Sequence, residues 1–206
     1  MRSDYGRGSG AEFVMMRLAV SAALVLGISA CGGGGGGGSD GRTPGNGGVI
    51  VRFEDQVRAL DAAAARMADL DFSGTLPGSG SAVYRGHLGA TAVVDGAAPD
   101  FVVAEVEMTA LFASGTIGGT FRNLASSRGD VSGGGVFDGG RFGPSGIESP
   151  MAGTLSRGGA AHAIDGAFRG AFLGEGARGL GGGMEATLSR DGASTGRLDG
   201  ELWAEN

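Results

Sequence analysis

The sequence predicts an all-β fold, an antiparallel up-and-down barrel of about eight strands preceded by one amphipathic helix. Three observations predict it. From residue 81 onward, short alternating segments are divided by turn residues such as Asp95-Gly96, Arg157-Gly158-Gly159 and Asp191-Gly192. Within 164–172, Ile164, Gly166, Phe168, Gly170 and Phe172 share one face of an extended chain, with Asp165, Ala167, Arg169 and Ala171 on the other. Glycine interleaved with phenylalanine weakens a plain strand, so it points to a sheet that bends sharply or to rings that need room, as in a small closed barrel. Helical periodicity occurs in a single stretch ahead of these segments.

Four regions follow in order. Residues 1–30 contain Arg17, the apolar run 18–28 and Ile28-Ser29-Ala30-Cys31, the parts of a secretory signal with small residues before the cut. The run is too short for a bilayer that needs about 20 helical residues. The tetrad resembles a bacterial lipobox, which makes Cys31, the only cysteine, the acylated first residue of the mature protein, and Met15 or Met16 is a plausible start. Two or three acyl chains, at about 0.8 kcal/mol per buried CH₂, anchor stably where one does not. Gly32 follows where an aspartate would favour inner-membrane retention, so the expected location is the outer membrane, with inner-membrane anchoring left open. Palmitate is the expected kind of chain. With one cysteine, no intramolecular disulfide forms and the exported domain relies on sheet closure and packing.

Residues 31–49 are mostly glycine and form a tether, because they cannot bury enough apolar surface to offset ordering entropy. With Arg42 the tract's one arginine, no aromatic interleaved and a net charge of −6, no nucleic-acid partner is expected. Residues 50–72 hold the helix, read over 52–71, with Phe53, Val57, Leu60, Ala64 and Met67 on one face and Glu54 and Asp55 in the expected first turn. Its polar face is mixed in sign, so it is expected to pack on the barrel or plug one end.

Residues 73–206 carry the candidate strands 81–94, 101–112, 115–122, 130–137, 150–157, 162–172, 180–190 and 195–203. In the first, Ala82, Tyr84, Leu88, Ala90, Ala92 and Val94 share a face. In the second, Val102, Val106, Met108 and Phe112 oppose Glu105, Glu107 and Thr109. Such alternation also fits a transmembrane barrel. Against that stand the lipobox, the scarcity of girdle aromatics (Trp 1, Tyr 2) and outward faces that would place Glu105, Glu107, Asp165, Arg169 and Glu185 in lipid.

Gly166-Ala-Phe168-Arg-Gly170-Ala-Phe172, the turn through Gly174 and Ala177, and Leu180-Gly181-Gly182-Gly183-Met184 resemble the last hairpin of the barrel domains of transferrin-binding protein B. The pattern there is G-x-F-x-G-x-F, a glycine and alanine turn, then E-L-G-G-x-aromatic. Gly179 stands here where an acidic residue is usual, and Met184 replaces the aromatic. The resemblance covers roughly 74–206 and implies a barrel that binds a protein or iron-carrying ligand, with loops and a separate handle domain doing the gripping. One barrel preceded only by a helix is expected here, so the resemblance omits the handle. An accessory envelope lipoprotein without a soluble ligand is the alternative.

Chemistry is sparse. Gly174-x-Gly176-x-x-Gly179 matches a dinucleotide fingerprint but leads into three more glycines, not a helix. Gly192-x-Ser194-x-Gly196 matches a nucleophile elbow, yet His87 and His162 both precede the serine. Two histidines give no zinc spacing, His87 falls on a polar face, and Glu105 with Glu107 reads as a solvated exterior. No enzyme, metal or cofactor is expected. The longest strand-poor connections are 123–129 and 138–149. In the latter, Arg141, Phe142, Ile147 and Glu148 form the candidate ligand-contact patch at the barrel mouth, since loops on a rigid scaffold carry recognition.

Overall fold

The computed structural model describes residues 47–206, with side chains from Arg52 onward. The signal, the lipobox with Cys31 and residues 32–46 of the tether lie outside the described residues. Helix α1 (Gly47–Met67) is followed by eight strands: β1 (Ser81–Val94), β2 (Asp100–Leu111), β3 (Thr116–Ser126), β4 (Val131–Gly143), β5 (Gly146–Arg157), β6 (Ala160–Leu173), β7 (Gly179–Arg190) and β8 (Ala193–Glu205). Each pairs antiparallel with its neighbours in sequence, and β8 returns to β1 through pairs from Arg85 with Glu205 to Val94 with Gly196, which closes the barrel. Asp95-Gly96, Gly158-Gly159 and Asp191-Gly192 all have both residues at positive φ, the primed-turn geometry that suits strand twist.

The inward face is the one that parity marks. Tyr84, Leu88, Val102, Met108, Phe168, Phe172, Leu188 and Leu198 are buried in one continuous core. The interleaved glycines supply room. A Cβ on Gly170 would meet the Gly181 carbonyl and the Phe168 ring, and one on Gly135 or Gly153 would meet the Phe121 ring.

Helix α1 lies on the outside of the wall formed by β8, β1, β2 and β3. Leu60 packs with Val103 and Ala125, Met67 and Ala63 with Leu173, and Trp203 touches both groups. Phe53 meets Phe101 edge to face at 6.4 Å. Gln56, unmarked by apolar periodicity, is also buried, and its Nε2 donates to the Asn123 carbonyl at 3.2 Å.

Several expectations need correction. The helix begins at Gly47 and ends at Met67, so Glu54 and Asp55 are not in its first turn. The chain leaves the helix to bring Phe72 into a bridge with Leu173. Residues 123–126 belong to β3, where Asn123 at φ 58 sits in a bulge between the pairs of Val103 and Glu105. Residues 138–149 form a hairpin. Asp138-Gly139-Gly140, read as a turn, lies in a bulge of β4 with Gly139 at φ 67, and the connection itself is Pro144-Ser145. An Asp-Gly pair at positive φ serves a bulge as well as a turn. His87 is half-buried beneath α1 instead of fully solvated.

Candidate functional site

The two ends of the barrel are built differently. One collects the tight turns and is sealed by polar contacts. Arg157 bonds Asp130 at 3.1 Å and lies 3.8 Å from the buried Asp100, while Ser127 donates to Asp100 at 2.9 Å. Burial opposes ionisation of Asp130, but hydrogen bonds from Ser126 and Arg157 and the guanidinium charge hold it below the usual carboxylate range. Beside this cluster the fully buried His162 has Nδ1 2.8 Å from Thr195 Oγ1. Ser194 of the elbow-like motif is exposed.

The other end is the hairpin mouth. The β6–β7 connection folds inward, with Ala177 held at φ 59 and buried. Its carbonyl accepts the Tyr84 hydroxyl at 2.6 Å and Asn206 Nδ2 at 3.2 Å. Burial pushes the Tyr84 phenol up to about 12, so it remains a donor. In place of the helix that a dinucleotide fingerprint requires, Glu175–Ala177 makes one 3₁₀ turn before β7.

A strap, residues 68–80, crosses this mouth. The Ser73 N–H donates to the Phe172 carbonyl at 2.9 Å, and Leu76 packs onto the interior core. Phe72 points away from it and is 71% exposed. Between strap and hairpin tip is a cleft of about 550 Å³ lined by Phe72, Leu76, Pro144, Ala171 and Phe172 among others. A second cleft of about 410 Å³ flanks the hairpin on its β3 side, where Arg141 and the 48% exposed Leu111 contribute.

The four candidate contact residues are split between the two faces of this hairpin. Phe142 and Ile147 pair in register; Ile147 is buried, and Phe142 stacks edge to face on Phe172 at 4.9 Å and Phe112 at 5.7 Å. Arg141 and Glu148 pair on the outer face, and Glu148 bonds Arg169 of β6 at 3.3 Å. Only the outer pair is available to a partner at the surface. Sequence reasoning missed Phe72, whose position after a long helical stretch made it look like the helix end. Among the described residues, no group of three or more His, Cys, Asp or Glu side chains could hold a metal ion, and no helix is long and apolar enough to cross a membrane.

No protein-family model matches the chain, and no curated protein matches it. Solved structures do. The barrel is similar to part of transferrin-binding protein B. Two crystal structures of that vaccine antigen from Haemophilus parasuis, a double mutant and a single mutant, each align at 15% identity over 66% of this chain and 28% of theirs, with TM-scores of 0.44 and 0.45. The match to transferrin-binding protein B thus takes in little more than a quarter of those chains.

Proposed function

We propose that this chain is a non-enzymatic binding module, held at the outer membrane by acyl chains on Cys31, whose hairpin mouth contacts a protein partner. The observation that carries the reading is Phe72, an aromatic 71% exposed at the rim of a cleft of about 550 Å³, while its neighbour Ser73 bonds to β6 and Leu76 packs onto the core. Large aromatics left out at a concave rim are what protein contacts use as anchors. Arg141 and Glu148, opposite each other on the outer face of the β4–β5 hairpin whose tip lines that cleft, supply charged groups on the same hairpin. The packed interior supports a contact at the surface over one in the barrel lumen. An iron-carrying protein is the partner class that the resemblance to transferrin-binding protein B raises.

Two experiments test this reading. Cys31→Ser is expected to release the protein from the membrane fraction or block its maturation; normal processing with full membrane retention would remove the lipid anchor from the proposal. For the mouth, the Cys31→Ser chain is used as bait in host or environmental fluid, alongside Phe72→Ser and Arg141→Glu/Glu148→Arg versions. A partner captured by the bait is expected to be lost from Phe72→Ser and weakened in the charge-reversed pair. Undiminished capture by both variants would move the contact elsewhere, and no capture from any fluid would favour an accessory lipoprotein.

A further inference from the structure

Between α1 and the barrel wall runs a groove of about 490 Å³, and His87 of β1 sits in it, half-buried. The helix offers it Ala59, Ala62 and Ala63, which bring the backbone close and give the ring no partner. In register across the sheet, His87 faces Glu105 on β2 and Trp203 on β8. The charged groups facing the groove are Arg66 from α1, Arg85 from β1, Glu105 and Glu107 from β2 and Arg122 from β3.

These charges are largely committed to one another. Arg66 bonds Glu205 at 2.9 Å and Arg85 bonds Glu107 at 2.9 Å. Glu105 already accepts Asn123 Nδ2 at 2.9 Å and Arg122 Nε at 3.3 Å. A proton on His87 would add a cation under a helix, in a half-buried groove whose carboxylates are already paired with guanidinium groups. Burial pulls the imidazole below its ordinary value, and the charge of Glu105 only partly offsets that.

We propose that α1 is an acid-released clasp, docked on the wall while His87 is neutral and loosened when His87 takes a proton. The undocked state leaves His87 in water, where it titrates near 6.5, so it binds protons at a higher pH than the docked state does. Docking strength is therefore fully present above about pH 6.5 and falls as pH drops through the window below it. With a single titrating group, the opening constant rises by at most about tenfold per pH unit. Release uncovers Leu60, Ala63 and Met67 on the helix and Val103, Ala125 and Trp203 on the wall, an apolar strip that neutral pH keeps covered.

The protein carries its own reporter. Trp203 is the sole tryptophan and packs under α1. On the full chain, tryptophan emission and amide exchange of α1 are followed from pH 7.5 to 5.0, with exchange corrected for its intrinsic pH dependence. The expected result is a red shift and a several-fold rise in α1 opening below pH 6.5 in the parent, both absent from His87→Gln. Glu105→Gln, which removes the partial compensation, is expected to open more than the parent at pH 5.5. A parent that stays unchanged to pH 5.0, or a His87→Gln protein that opens as the parent does, overturns the proposal. Should His87→Gln fail to fold, His87→Asn takes its place with the same two outcomes.

Discussion

Truncating Phe168 to alanine is expected to destabilise the protein by about 3–5 kcal/mol. The ring is fully buried at the centre of the interior and meets Phe137 edge to face at 6.4 Å, so its removal leaves a cavity that a closed wall of paired strands cannot collapse to fill. One residue on, Arg169 points outward and bonds Glu148, with the two side chains 65% and 67% exposed. Exposed pairs of that kind contribute little, and Arg169→Ala should lose less than about 0.5 kcal/mol. Urea melts of the two variants in a Cys31→Ser background decide the matter. Equal losses would mean that the strand faces are reversed.

The second large effect is expected from adding a single methyl group. Gly170→Ala would place a Cβ against the Gly181 carbonyl and the Phe168 ring, and neither can retreat, since one is backbone in a ladder and the other fills the core. Overpacking of this sort typically costs about 1–3 kcal/mol. Gly183→Ala is the control. A Cβ there finds only the Gly200 carbonyl at 3.8 Å, and alanine is the better strand residue, so stability should hold or rise slightly. If the two substitutions lowered the urea midpoint alike, the glycines would be serving backbone freedom and not the space around the rings.

Where alternation runs uninterrupted, as in β1 and β6, the sequence alone tells which side chains face in, because each pairs without a break with both neighbours along most of its length. Parity also places His162 inside, on the face of Ile164 and Phe168, though its polar ring hid this. Legibility fails at the bulges. Asn123 resets the alternation of β3, so Leu124 enters the interior while Ala125 faces α1, and a segment that looked like a loop is wall. Asp138-Gly139 has the chemistry of a hairpin turn and forms a bulge in a longer strand, which hid the real connection at Pro144-Ser145 and put Ile147 in the core. The helix start was hidden because Gly47 and Gly48 are poor helix formers at the end of a glycine tract. Within the candidate site, Arg141 and Glu148 were visible from the sequence, but the strap and Phe72 depend on how α1 docks, which no local pattern records.

The pairing of β8 with β1 has a consequence in time. Arg85 meets Glu205, so the first strand to leave the ribosome waits for the last residues of the domain before both its edges are satisfied. Sequential hairpins can form as they emerge, yet the ring stays open, with β1 and β7 each lacking a neighbour, until β8 is delivered. Closure between distant ends is slow and leaves partly formed sheets able to pair with other chains. Helix α1, made before any strand, reaches its final seat across β8 and β1 only after that seam has joined, as its Arg66 to Glu205 contact requires. A polypeptide translocated in an extended state would meet no premature knot of structure, and one that lost its final strand would be left as an open, sticky sheet.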